Sequence, residues 1–313
     1  MVADFISADY GYLRSPDGTE EARVLFPAGA HREGYFTNEE ILKQARKAMG
    51  ILEKYYPDED HVFVFDNATT HLKRPQGSPS ATKMTKGPSK DFGVDVNVLG
   101  EDGKPIYNEK RQPIKKRVRM EKGRLDDENE QDFYFPDDHS EFPGYFKGMA
   151  RILEERGVDV KGKKAQCGKA FSDCPKGATD CCCRRMLYNQ PDFVNVESIL
   201  ESVCRERNVP VVFLPKFHCE LNPIEQVWGA AKRYYRLLPP SSKFEDLRQN
   251  LLESLESVSV DHMRRFVTRT SRFMDAYRKG LNGRQAAWVS RKYRGHRVVS
   301  ESILKEMDNA KVV

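Results

Sequence analysis

Two acidic residues of this chain stand where acids can do chemistry. Asp66 closes the run His61-Val-Phe-Val-Phe65, a short apolar, β-branched and aromatic stretch that reads as a buried strand. Glu225 belongs to His218-Cys-Glu-Leu-Asn222-Pro-Ile-Glu225-Gln-Val-Trp228-Gly, downstream of a second such run, Val209-Pro-Val-Val-Phe-Leu214. Strand tips and helix starts beside a parallel sheet are where open α/β folds build their sites. Two carboxylates converging there can hold Mg²⁺, a hard ion that takes one or two protein carboxylates and keeps several waters. Two such ions can activate the attacking oxygen and stabilise the leaving oxygen in phosphodiester cleavage. Taken singly, each acid has a plainer reading. Asp66 would then be a turn residue, and Glu225 a first-turn acid favoured by the helix dipole.

A second group is made of thiols. Five of the seven cysteines fall in the pattern Cys167-x6-Cys174-x6-Cys181-Cys182-Cys183. With no secretory signal in view, such clustering favours a metal or reduced thiols over a disulfide framework. Four thiolates can bind Zn²⁺ tetrahedrally and staple a segment that has little apolar material of its own. Three consecutive cysteines cannot easily all reach one ion, and the expected ligands are Cys167, Cys174, Cys181 and Cys183. His218 and Cys219 are further donors from afar. The spacing is looser than paired CxxC motifs, so idle buried thiols are the alternative. A catalytic cysteine has no supporting His/Asn pattern.

The third group is basic. From Asp261 to Arg297 there are eleven Lys/Arg against two Asp/Glu, while Asp126–Glu141 is biased the other way. Arg264, Arg265, Arg269 and Arg272 are spaced to share a helix face, with Lys279 nearby, and could contact phosphates. Phe266, Val267, Phe273, Met274 and Tyr277 would supply the buried side. An ordinary amphipathic helix with a solvated face is the competing reading.

The elements that must position these groups follow from pattern and punctuation. Val2–Ser7 reads as a strand, Arg14-Ser-Pro-Asp-Gly18 as a turn and Ala22–Phe26 as the returning strand. Thr37-Asn-Glu-Glu40 is a capping box, followed by Ile41, Ala45, Ala48, Met49 and Leu52 at helical spacing up to Tyr55, with Pro57 beyond. Residues 73–145 are dense in Pro, Gly, Lys and Asp with little periodicity, which reads as an insertion, partly disordered. Helices are expected over Gly148–Arg156, Phe193–Arg207, Asn222–Arg236, Phe244–Val258 and Asp261–Lys279, and again through Trp288. The domain reading is a core segment over 1–72, an insertion over 73–190, a second core segment over 191–238 and a basic helical extension over 239–313.

Phe65-Asp66-Asn67-Ala-Thr-Thr-His71 and Leu221-Asn222-Pro-Ile-Glu225-Gln-Val-Trp228-Gly resemble the second and third signature blocks of the mariner-type DDE transposases. Lys216–Asn222 and Gln285-Ala-Ala-Trp-x-x-x-Lys-Tyr-Arg-Gly-His296 further resemble the fungal subgroup of DDE superfamily endonucleases, and the likeness covers nearly the whole chain. It implies an α/β, ribonuclease H-like mixed sheet flanked by helices, to which this chain's own pattern adds a long Cys-rich insertion and a C-terminal helical extension. It makes Asp66 the second catalytic acid and Glu225 the third, with Asn67, His71, Asn222 and Trp228 in supporting positions. The implied cofactors are two Mg²⁺ or Mn²⁺ ions, and the implied partners are transposon ends and target DNA in the nucleus, with a homo-oligomer open. Two departures stand out. The acids are separated by 158 residues, where the family has a few dozen, and the insertion accounts for that. The family's first Asp lies on an earlier strand, expected upstream of Met1, because Asp4 and Asp9 sit on the wrong strand for it. An N-terminally truncated core that cuts DNA poorly or not at all is therefore the expectation. Its rivals are a non-catalytic DNA-binding derivative and a zinc-stabilised interaction module.

Composition bounds these readings. The 313 residues carry a net charge of +5, with 39% apolar and 32% charged residues, which suits a soluble protein with long polar excursions. No run approaches the roughly 20 apolar residues of a bilayer span. The opening residues lack the basic start and apolar stretch of a signal peptide, so an intracellular protein without a membrane partner is expected.

Overall fold

Apolar periodicity is strongest over residues 41–52, and it builds the longest helix of the N-terminal part. In the computed structural model, which describes residues 1–29, 34–101, 105–110, 112–125, 129–293 and 298–312, four short strands come first. They are β1 (Val2–Ala3), β2 (Ile6–Ser7), β3 (Gly11–Tyr12) and β4 (Val24–Leu25), and helix α1 (Asn38–Tyr55) follows. At the start of α1 the Glu40 carboxylate accepts the Thr37 backbone N–H at 3.2 Å. Ile41, Ala45, Ala48, Met49 and Leu52 are all buried, as one stripe of a 3.6-residue period requires.

Strand β1 pairs antiparallel with β4, and β2 with β3. Bonds from Leu13 N–H to the Phe5 carbonyl and from Ala22 N–H to the Leu13 carbonyl knit these residues into one meander. Strand β5 (Phe63–Phe65) then leads to Asp66.

The chain folds as two compact units, one of residues 1–73 and 199–313, the other of residues 74–198. The second unit is not the structureless stretch its composition suggests. It holds the antiparallel pairs β6 (Val94–Asn97) with β7 (Lys115–Val118) and β8 (Gly123–Arg124) with β9 (Glu130–Gln131). Helices α2 (Met149–Glu155), α3 (Cys183–Tyr188) and α4 (Pro191–Val194) complete it. Met84, Phe133, Phe146, Met149, Leu153 and Leu187 form its core. The buried pair Arg156–Asp192, at 2.7 Å, ties α4 to the residue after α2.

The boundary therefore falls at Ser198 rather than near residue 190. The helix expected over Phe193–Arg207 is two helices, α4 and α5 (Ile199–Arg205). Phe193 is buried in the core of the second unit, whereas Leu200 and Cys204 are buried in that of the first. One straight helix cannot serve both, and the chain breaks between them.

Back in the first unit, β10 (Val211–Phe213) lies parallel to β5, with Val211 opposite Phe63 and Phe213 opposite Phe65. Helices α6 (Pro223–Tyr235), α7 (Phe244–Glu256), α8 (Val260–Arg278), α9 (Gly283–Lys292) and α10 (Glu301–Asn309) follow. Residues 239–313 do not stand apart as an extension. Leu255, Val258 and Met263 share a core with Val227 and Ala231 of α6 and Tyr12 of β3. Gly11, at φ +82°, allows this packing, since a Cβ there would lie 2.9 Å from Val260 Cγ2. The whole is a mixed α/β protein whose described strands form five two-stranded pairs, one of them parallel. None of its described helices is long and apolar enough to cross a membrane.

Candidate functional site

Because β5 and β10 run parallel, both end on the same side, and the Leu214 N–H still bonds the Phe65 carbonyl at 2.8 Å. The residues after each strand therefore emerge together. They line a cleft of about 310 Å³ formed by Asp66, Asn67 and Ala68, by Leu214–Cys219, and by Asn222 and Glu225. Asp66 and Glu225, far apart in sequence, thus face one cavity.

Each acid is presented differently. Asp66 is exposed, and its Oδ1 lies 2.6 Å from His71 Nδ1 and accepts the Ala68 N–H at 3.3 Å. His71 also packs its ring 5.0 Å from that of Phe65, which fixes the imidazole against the carboxylate. Glu225 stands exposed in the first turn of α6, where Pro223 starts the helix without needing an N–H. Asn222 occupies the N-cap position yet makes no side-chain capping bond, which leaves its amide facing the cleft. Asn67 Oδ1 is buried and has no hydrogen-bond partner, a costly arrangement for an acceptor. Trp228 does not line the cleft, and its buried Nε1 also lacks a partner.

The oxygen donors on this cleft are two carboxylates and two amides, beside the His218 imidazole and the Cys219 thiol. Neither remaining N-terminal acid joins them. Asp4 is buried against Arg23, with Oδ2 2.7 Å from Nε, and Asp9 accepts a bond from Ser7 Oγ.

The loop after β10 is propped from behind by a residue that sequence reading passed over. Glu220 Oε1 accepts from Tyr277 OH at 2.6 Å and lies 2.7 Å from His218 Nδ1. Its carbonyl accepts from Thr270 Oγ1 at 3.1 Å. Burial works to raise the Glu220 pKa, but the bonds from Tyr277 and His218 outweigh it and hold the carboxyl below its ordinary range. Burial, then Glu220, pushes Tyr277 up to about 12. Nothing in the sequence distinguishes Glu220 from a surface acid, because its partners on α8 lie about fifty residues downstream. Phe217, at the cleft mouth, is 99% exposed at φ +67°.

The five basic residues do not act as one face. Arg264 bonds the Ala8 and Asp9 carbonyls at 2.8 and 3.0 Å and lies 3.2 Å from Asp261. Arg272 donates to the Tyr293 carbonyl at 2.8 Å, and Lys279 pairs with Asp275 at 3.0 Å and donates to the Val299 carbonyl. Three of the five thus serve the packing of the first unit. Arg265 and Arg269 are exposed, Arg269 with its guanidinium over the Phe273 ring. Arg294, Gly295 and His296 of the closing motif lie outside the described residues.

In the second unit, four thiols converge, and the set differs by one from that expected. The Sγ atoms of Cys167, Cys174, Cys181 and Cys182 all lie within 4.8 Å of one another, so this group could hold a metal ion such as zinc. Cys183 is not among them. It begins α3, and its side chain is buried in the core with Met186 and Leu187. His218 and Cys219 belong to the other unit and line the cleft there.

No protein-family model, no curated protein and no solved structure matches this chain.

Proposed function

We propose that the chain carries a DDE-type nuclease core of ribonuclease H-like fold, machinery for DNA phosphodiester cleavage and strand transfer, with two acids of the three on its cleft and therefore weak cutting or none. One observation carries the reading. Two acids with 158 residues between them, each set in a motif resembling that family, open onto one cleft at the C-terminal ends of adjacent parallel strands. Asp66 and Glu225 would hold Mg²⁺ or Mn²⁺, which polarises the phosphodiester and lowers the pKa of an attacking water. The chain's own residues then have distinct tasks. His71 holds Asp66 Oδ1 in place, as outer-sphere partners do for ligating carboxylates. Asn67 and Asn222 add amide-bearing residues to the cleft wall. Glu220, braced by Tyr277, positions the loop that closes the cleft on the β10 side.

DNA is the proposed substrate and the nucleus the proposed location. Among the described residues, Lys216 at the cleft and Arg265 and Arg269 on α8 are exposed cations that could meet phosphates; Arg264, Arg272 and Lys279 are engaged elsewhere. The other proposed cofactor, a structural zinc, concerns the other unit and rests on its own observation.

Nicking of supercoiled DNA by the full chain tests the reading. Any nicking should be weak, require Mg²⁺ or Mn²⁺, and be abolished in Asp66→Asn and in Glu225→Gln, as loss of a metal ligand does. Full activity in either variant refutes the assignment. Salt-dependent DNA binding without metal-dependent nicking would instead mark a non-catalytic DNA-binding derivative.

A further inference from the structure

The segment from 161 to 181 has a shape but little apolar means of keeping it beyond Ala165 against the core and the Phe171 ring against Tyr188. No residue from 161 to 181 is buried. The backbone within it is nonetheless unusual: Gly168, Ala170 and Phe171 all have positive φ, at 62°, 52° and 66°. A Cβ on Gly168 would meet Ser172 Oγ at 2.2 Å, so the turn directly after Cys167 admits only glycine without rearrangement. Left-handed conformations at non-glycine residues are strained and persist only where their surroundings fix them. Here a hydrophobic core does not.

The thiols sit where a fixing group is needed. Lys164 bridges to Cys182, and its carbonyl accepts the Cys183 N–H at 3.0 Å, which lays Cys167 beside Cys181 and Cys182. The loop then returns Cys174 to within 3.3 Å of Cys181, Sγ to Sγ. A zinc tetrathiolate with Zn–S bonds of about 2.3 Å has S–S edges of about 3.8 Å. The sulfurs here, 3.3 Å apart at Cys174–Cys181 and all within 4.8 Å, bracket that edge. All seven cysteines are free thiols. Charge is provided for as well. Four thiolates around Zn²⁺ leave a net double negative charge, and Arg185 lies against the group with its Nε buried and without a hydrogen-bond partner. Its side chain meets that of Cys174.

We propose that Cys167, Cys174, Cys181 and Cys182 bind one Zn²⁺ as a tetrathiolate, and that this ion fixes the segment 161–182. The ion closes two loops, Cys167 to Cys174 and Cys174 to Cys181, and anchors them through Cys182 to the start of α3. Cys183 continues that anchor into the core without touching the metal. Binding replaces the four thiol protons with one cation, so acid and chelators release it. Soft sulfur donors in a tetrahedral set select zinc, with iron the other common occupant.

The test uses the full chain purified without added metal. Elemental analysis should give one zinc per chain. Alkylation mapped by mass spectrometry should find Cys167, Cys174, Cys181 and Cys182 protected until a chelator is added, while Cys219 reacts throughout. Replacement by Co²⁺ should give the visible spectrum of a tetrahedral tetrathiolate. Cys182→Ser should lose the bound metal, and Cys183→Ala should retain it. The wild-type alkylation map decides between Cys182 and Cys183 should either variant fail to fold. Absence of zinc, iron in its place, a Cys174–Cys181 disulfide in the isolated protein, or full zinc retention in Cys182→Ser would each overturn the proposal. All these readouts are indifferent to whether the cleft of the other unit cuts DNA.

Discussion

Single residues in this chain are often assigned by what lies beside them, not by their type. Asp4 and Asp66 are both acids near short strands, yet one is buried on Arg23 and the other exposed beside His71. Burial outweighs the Arg23 contacts and pushes Asp4 up to about 6. A carboxyl that holds its proton more tightly when folded than when unfolded adds stability in acid. That contribution is complete below the unfolded value of about 3.9 and is lost as pH rises through about 6. Unfolding free energy should therefore fall by about 2–3 kcal/mol between about pH 4 and pH 7 from this group alone. Urea titrations should show that fall much reduced in Asp4→Asn, where Arg23 keeps Glu256 at 3.0 Å. An unchanged slope would mean Asp4 ionises freely. The cysteines teach the same lesson. Cys182 and Cys183 are neighbours of one type, and only the tertiary core decides which faces the other thiols.

At the level of elements, the parallel pair β5–β10 does most to create the cleft, and α8 supports it from behind through Thr270 and Tyr277. The same helix packs on the N-terminal meander at Gly11. Gly11→Ala would place a Cβ 2.9 Å from Val260 at a φ of +82°. It should cost about 1–3 kcal/mol by combined backbone strain and overpacking. Equilibrium denaturation measures this, and a neutral outcome would show that α8 moves freely against β3. Much of this level was legible in sequence. The runs at 61–65 and 209–214 form strands, but short ones covered on one face only, since Val64 and Val212 are about half exposed; the periodic stripe behind Thr37 forms α1 with its buried residues in place. The failures have physical causes. Phe193, Leu200 and Cys204 fall at spacings that one helix would satisfy, while they belong to two cores. Glu220 acquires its role from residues on α8, which no local pattern announces.

For the molecule as a whole, the least legible part was residues 74–198. Its core is drawn from scattered residues such as Met84, Met120, Phe133 and Phe146, which follow neither a helical nor a strand period. Composition alone then resembles disorder, although two hairpins and three helices are present. The two acids of the cleft were readable because their strands and flanking motifs are local; their convergence was an expectation that only the folded chain could place on one cavity. Division into two units with separate cores has a consequence for stability. If zinc fixes the segment 161–182, chelation should increase hydrogen exchange there and across α3, and leave α1 and the β5–β10 pair unchanged. Uniform loosening of both units would contradict separate stabilisation.

Everything proposed for the cleft depends on Asp66 and Glu225 sharing one divalent-cation site. Iron-directed cleavage of the protein backbone, with Fe²⁺ and ascorbate as the probe in place of Mg²⁺, reads that sharing without recourse to DNA. Radicals formed at the bound ion cut the nearest chain segments. A shared site should give cuts beside both Asp66 and Glu225, suppressed together by excess Mg²⁺ and abolished in Asp66→Asn and Glu225→Gln. Cutting at only one of the two segments, or cutting that Mg²⁺ leaves untouched, would mean that the two acids do not hold a common ion.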